Sequence, residues 1–427
     1  MKKKLLSILL AGTMAVSLTG MSVMADEVDY SADEGEIYMF ISQPEYADAI
    51  TELIDAYSEV APNVTINYET TQNDYPTLLK AKLNSGEVPD IFSSTSGKEI
   101  DVYREYSYDL KDQPLADTIL PSVASSMAST EEGGGLYGIA IKGNYFGLVF
   151  NAGIFEEVGI EPPATMDELK TACEMISEKG YKPFTTGFAE WWVFKHIFQH
   201  YLAAAAENAG MSVGELVQKF EKGEVKIADL PEIYDNFFEM IDLAVEYGDD
   251  KPLETDLSGE LAAYGGGTAA MVLGQGAWIE ADSLAIDPEL QVGFAGYPVS
   301  GNPDQCQIIS GSDQALHVAA DSDALQATLD FVNWWYTSDY GIAWFTDVAG
   351  VVPPVKTDAE SDFQIIKQGA SLEAANGSAP LGICYSTDSW WQKFGELMQD
   401  YIAGTTDKDA TCAAIEENWA AIDGAAE

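Results

Sequence analysis

The chain has 427 residues, 47% of them hydrophobic and 11% aromatic, which is apolar material for about two to three domains and excludes a disordered chain. Its formal net charge of −49 excludes nucleic acid and anionic membrane surfaces as partners, because both would be repelled. Cys173, Cys306, Cys384 and Cys412 are far apart, so there is neither a CxxC redox pair nor a zinc motif, and both free buried thiols and disulfides stay open.

At the N-terminus, Lys2, Lys3 and Lys4 precede an uncharged apolar run from Leu5 to Leu18, and Val23-Met24-Ala25 puts small residues where a signal peptidase reads. The pattern predicts a signal over residues 1–25, cleaved after Ala25, and an exported product. The run is shorter than the roughly 20 residues of a spanning helix. No cysteine follows the cleavage site to carry a lipid anchor. Residues 26–35 are acidic and read as a flexible leader.

The elements then follow in order. Ile37-Tyr38-Met39-Phe40-Ile41 is continuously apolar, as in a buried parallel strand. Tyr46 to Tyr57 carries apolar residues at helical spacing. Val64 to Tyr68 is a second strand, Tyr75 to Asn84 a second helix, and Asp90-Ile91-Phe92 a short third strand. This alternation predicts a βαβ sheet with right-handed crossovers. Leu136 to Asn151 has strand character throughout. Asp167 to Lys179 is a helix with a capping box formed by Thr165 and Glu168. Trp191 to Ala206 and Pro231 to Tyr247 are helices, and Thr268 to Val272, Val292 to Tyr297 and Gln314 to Val318 are strands. Ala324 to Tyr336 begins a helical final hundred residues.

Motifs for chemistry are missing. Gly274-Gln275-Gly276 lacks the third glycine of a dinucleotide fingerprint, since Ile279 stands there, and Gly265-Gly266-Gly267 has no Lys-Ser/Thr behind it. No cofactor is expected. His196 and His200 share one helix face, but a zinc pair needs a third ligand and, in hydrolases, an adjacent Glu; helix packing is the reading and no metal is expected. No GxSxG elbow occurs, and carboxylates are too common for any pair to stand out. The chain is read as a binder, not an enzyme.

Tryptophan is more informative. Trp191-Trp192, Trp334-Trp335 and Trp390-Trp391 are adjacent pairs. Helix neighbours point about 100° apart, so one ring of a pair is free to face a cleft. An indole face suits the C–H face of a sugar ring and contributes on the order of 1 kcal/mol beyond burial. Core packing is the competing use. It is preferred for Trp334 and Trp335, beside Phe331, and stays open for the other two pairs.

Several segments occur in a telling order: Gly86-Glu87-Val88-Pro89-Asp90-Ile91, Leu136-Tyr137-Gly138-Ile139, Gly147-Leu148-Val149-Phe150-Asn151, Gly267-Thr268-Ala269-Ala270-Met271, Gly276-Ala277-Trp278, Ser312-Asp313 and Val351-Val352-Pro353. Over nearly the whole chain after the signal they resemble the extracellular solute-binding proteins of sugar importers. The resemblance implies an α/β, two-lobed, type II periplasmic-binding-protein-like fold with a hinge. One lobe would hold 36–141 and 298–352, the other 142–297 and 353–427.

It further implies a monomer that closes on an oligosaccharide and hands it to the permease subunits of an ABC transporter. The ligand residues it suggests are Trp278, Trp191, Trp192, Trp390 and Trp391. Gln43 and Glu45 after the first strand, Thr95 and Ser96 after the third, Asn144 in the crossover and Asp313 would supply polar contacts, though turns and helix caps use the same residue types. Where maltose binders of the family carry an aromatic, this chain has Ser93-Ser94-Thr95-Ser96, which argues against maltose. A polyamine, peptide or osmolyte, and a secreted glycoside hydrolase, are the rival readings.

Overall fold

Ile37, Met39, Phe40 and Ile41 are fully buried, and they put β1 (Glu34–Ile41) at the heart of the first sheet. The computed structural model describes residues 28–127, 129, 134–357 and 361–421, so the signal expected over 1–25 and the start of the leader lie outside the described residues. β1 begins inside the segment expected to be a flexible leader. Glu34 and Gly35 pair with Asn63 and Val64 of β2 (Asn63–Thr70), and that backbone ladder orders them.

Between these strands runs α1 (Ala47–Val60), which buries Ile50, Leu53 and Tyr57 at helical spacing. α2 (Tyr75–Ser85) leads to β3 (Ile91–Thr95), followed by α3 (Lys98–Val102) and α4 (Pro121–Met127). The stretch 136–151, expected as one strand-like run, divides among three sheets as β4 (Ile139–Ala140), β5 (Asn144–Phe146) and β6 (Leu148–Asn151). Gly147 is the last joint: a Cβ there would stand 2.5 Å from the Ala295 carbonyl oxygen, so only glycine lets the backbones approach.

Next come α5 (Ala152–Val158), α6 (Met166–Glu178), β7 (Lys182–Thr185), α7 (Trp191–Asn208) and α8 (Val213–Glu221). At the start of α6 the Thr165 hydroxyl accepts from the Glu168 N–H as expected, but the Glu168 carboxylate accepts from Ala164 N instead of closing the box. The helix expected over 231–247 opens with a π-wound segment, Glu232–Phe237, before α9 (Phe238–Glu246). α10 (Leu257–Gly265), β8 (Ala269–Val272), α11 (Ile279–Ile286) and β9 (Val292–Ala295) complete this region. The chain continues through β10 (Ile309–Gly311), β11 (Gln314–Val318), α12 (Leu325–Thr337) and α13 (Asp339–Asp347). It ends on α14 (Gln364–Asn376), α15 (Asp388–Ile402) and α16 (Lys408–Ala420).

The first sheet has the order β2-β1-β3-β11-β4, with β1, β2 and β3 parallel and β11 antiparallel to both neighbours. The second has the order β7-β8-β6-β9, with β7 and β8 parallel. Between them lies the antiparallel ribbon β10-β5. Two chain passages, β4 to β6 and β9 to β11, use this ribbon, and Gly143 bridges to Val352 beside it. Trp335 is sealed among Tyr336, Trp344 and Phe345, as the apolar character of its helix predicts. The four cysteines are free.

Candidate functional site

Strand direction decides what faces the gap between the sheets. β1 and β3 run parallel and deliver their carboxyl ends to one edge, where Ser42 to Glu45 and Thr95 to Ser96 follow. β11 runs the other way, with Gln314 paired to Thr95, so Asp313 and Gln314 lie on that same edge. In the second sheet, β7 and β8 deliver the start of α7 and the turn that carries Trp278. Asn144, on the ribbon, accepts the Ala277 N–H through Oδ1 at 3.2 Å and so holds that turn.

These edges enclose a cavity of about 600 Å³, including its open mouth. Gln72, Lys142, Lys195, Asp313 and Gln314 meet Glu45, Glu190, Trp192, His196 and Trp278 there, with Pro44 and Leu257 beside the mouth. His196 sits between the two indoles, 5.4 Å from the Trp192 ring and 5.5 Å from the Trp278 ring. Its Nδ1 lies 2.8 Å from the Gly274 carbonyl oxygen, which can only accept, so Nδ1 carries the proton and Nε2 is an acceptor. Burial lowers its pKa to about 3 and keeps the ring neutral. The Trp278 N–H donates to Gln275 Oε1 at 2.8 Å.

Charges are paired or suppressed. Lys142 Nζ lies 3.5 Å from Asp313 Oδ1, both side chains being 4% exposed, and 5.0 Å from the Trp278 ring centroid. Burial pushes the Asp313 carboxyl up, but Lys142 together with its other neighbours, Lys195 among them, outweighs it and holds Asp313 below its usual range. Glu45 is raised to about 7, by burial first and against the pull of Lys142. Five buried lining atoms have no hydrogen-bond partner: Gln72 Oε1, Glu190 Oε2, Trp192 Nε1, His196 Nε2 and Asp313 Oδ1, the last of which meets the Lys142 ammonium as an ion pair only. Four are acceptors and one is a donor.

Four expected residues therefore line the cavity: Glu45, Trp192, Trp278 and Asp313. Gln43 stands behind it, with Nε2 donating to Gln314 Oε1 and to the Ser42 carbonyl. The structure places the others elsewhere. Trp191 lies under Lys195, its ring centroid 5.2 Å from that ammonium. Thr95 and Ser96 are turned into a junction: Thr95 Oγ1 donates to Asp388 Oδ1 at 2.9 Å, and Ser96 Oγ to the Ser312 carbonyl at 2.6 Å.

Trp390 and Trp391 are corrections. Trp390 stacks on Trp419 and Phe394, and Trp391 is fully buried with its N–H donating to the Ile383 carbonyl. Both rings face inward because α15 packs on α7 along one side and on α16 along the other, so no free side is left for the second indole.

Sequence reasoning misses Lys142, Lys195, Gln72, Glu190 and Gln314, and it assigns His196 to helix packing. A signal exists for two of these, because Trp192, Lys195 and His196 stand at i, i+3 and i+4 of one helix. Lys142, alone in a long apolar run, is a second signal.

Residues 42–342 match the family described as bacterial extracellular solute-binding protein. The chain belongs to this family. Among relatives of this solute-binding protein, the multiple sugar-binding protein of Streptococcus mutans is 22% identical over 342 residues, 78% of this chain and 79% of the relative. The melibiose/raffinose/stachyose-binding protein MelE of Bacillus subtilis is 26% identical over 172 residues, but that match spans only 40% of either chain. Two solved structures share the fold: a chitin oligosaccharide binding protein (TM-score 0.79, 19% identity, 92% of this chain and 100% of the other) and RafE in complex with raffinose (0.77, 17%, 91% and 99%). The solute-binding protein thus has the type II two-lobed architecture. Among its described residues no helix is long and apolar enough to cross a membrane.

Proposed function

We propose that this protein captures a sugar between its lobes and delivers it to the permease of an ABC importer. The observation that carries this reading is the acceptor-rich set of unpartnered atoms beside two indoles. A buried polar atom left unpaired costs about 1–3 kcal/mol, and a ring of hydroxyls relieves several at once. The same cavity gives a polyamine little to bind, because Lys142 and Lys195 already neutralise Asp313 and Asp388. The sugars named for the relatives fit this class. We further take residues 36–141 with 298–352 and 142–297 with 353–427 as the moving lobes, residues 1–25 as a removed signal, and the working form as a monomer.

Thermal-shift measurements over mono- and oligosaccharides test the reading. A sugar at 100 times its Kd should stabilise the protein by about 2.7 kcal/mol. A shift with spermidine and with no glycan would refute it. A hydrolase reading has one specific support, a carboxyl raised to about 7 (Glu45) in the same cavity as a carboxylate held ionised (Asp313). The binder reading expects no product after prolonged incubation with the bound glycan.

A further inference from the structure

A second set of contacts joins the lobes at one end of the cavity. Asp388, at the first turn of α15, accepts from Thr95 Oγ1 and, at 3.2 Å, from Lys195 Nζ. Its own N–H donates to Glu99 Oε1 at 3.2 Å, while the Thr95 N–H donates to Glu99 Oε2 at 2.7 Å. Lys195 belongs to the wall of the first cavity. On the far side of this bridge opens a separate groove, lined by Gly97, Lys98, Cys384 and Tyr385, each within a few residues of Thr95 or Asp388. Lys98 also pairs with Glu221 at 2.7 Å across that groove.

Thr95, Glu99 and the Lys195 side chain are each at 4% exposure or less, and the Asp388 side chain is 14% exposed. Among the residues that line the cavity, Pro44 is exposed and Gln72 and Leu257 are half-buried, and the mouth lies on their side. The Thr95–Asp388 bridge thus lies beside both pockets, and Lys195 is shared between it and the wall of the first.

Resting on the sugar reading, we propose that the binding cleft is blind at the Thr95–Asp388 bridge, so that the ligand is read from one terminus. The terminal ring lies against the wall formed by Trp192, His196 and Trp278, with its end toward Lys195 and the bridge behind it, and any further rings leave through the mouth past Gln72. Thr95 and Asp388 are specificity-determining residues, because they set which end of a glycan must be free. A through-going groove would accept a chain capped at either end, and this one accepts a cap at the mouth end only.

The test uses the full chain and calorimetry with melibiose, raffinose and stachyose, then β-1,4-linked xylose and N-acetylglucosamine oligomers. Each is compared with derivatives methylated at the reducing-end or at the non-reducing-end ring. In the series that binds, one cap should weaken binding about 100-fold and the other by less than about threefold, as a pocket filled to its wall discriminates added methyl groups. The variants T95A and D388A, with melting temperatures measured alongside, should bring the two caps to within about tenfold of each other. Equal tolerance of both caps in the unaltered protein overturns the blind cleft while leaving the sugar reading intact. So does a bridge variant that folds and keeps the full end preference. Absence of binding to every glycan overturns the sugar reading itself, and this proposal with it.

Discussion

Substituting alanine for Gly97 separates closure from stability. Gly97 has φ +77°, and a Cβ there would stand 2.2 Å from the Cys384 carbonyl oxygen, which lies across the gap on the segment packed against α7. Real Cβ atoms essentially never come within 3.0 Å of such an atom, so the two backbones must part. The backbone of Gly97 (φ +77°, ψ −121°) lies outside the left-handed helical region and costs alanine about 1–3 kcal/mol whether the cleft is open or shut. The clash exists only when it is shut. An overpacked contact of this kind costs about 1–3 kcal/mol, which lowers the closed population and weakens ligand binding about 5- to 150-fold.

Gly86 supplies the control. It has φ +80°, and a Cβ placed there would meet nothing within 4 Å, so G86A carries the backbone strain without the clash. Both variants should melt lower, G97A by more because its backbone lies outside the left-handed helical region that Gly86 occupies, and only G97A should lose affinity in calorimetry. If G97A binds within about twofold of the unaltered protein while G86A behaves as stated, the lobes close without bringing Gly97 to Cys384, and the reasoning fails.

Other expectations follow from the site. Trp278→Ala should weaken sugar binding by about tenfold or more, whereas Trp391→Ala should cost about 3–5 kcal/mol of stability in urea melts with affinity largely kept. Lys142→Met strands the Asp313 carboxylate inside the protein and should cost about 3–5 kcal/mol, most of it recovered in K142M/D313L; equal stability of the single and double variants would refute the pairing. Glu99 is raised to about 8 by burial first and by Asp388 second, so its contribution is fully present below its ordinary value of 4.5 and is lost as pH rises through about 8. Stability in urea melts should therefore fall between about pH 4.5 and 8, and Glu99→Gln should flatten the profile.

How far the sequence could be read depended on how local each feature was. The register of apolar residues in β1 and α1 is a local pattern, and so are the strand ends that put Glu45 and Asp313 on one edge. Trp278 is legible because it sits in a recognisable turn. Trp390 and Trp391 could not be separated from cleft residues, since their burial depends on α7 and α16, which approach from distant parts of the chain. The division of 136–151 among three sheets is hidden for a similar reason. Each piece is strand-like by itself, and only its partners reveal the change of sheet. The paired lysines escape notice because a charge is usually a surface feature, and nothing in sequence places Asp313 beside Lys142 or Asp388 beside Lys195.

The position of β11 has a consequence for how the chain acquires its shape. β3 gains its neighbour on one side only when residues 314–318 have been made, and β4 has no other partner in that sheet. Until then the ribosome holds a long intermediate with an unpaired strand edge, a template for association with other copies. Fragments that stop short of Val318 should consequently aggregate, however complete their apolar content. The lobe that begins the polypeptide is among the last parts of it to be finished.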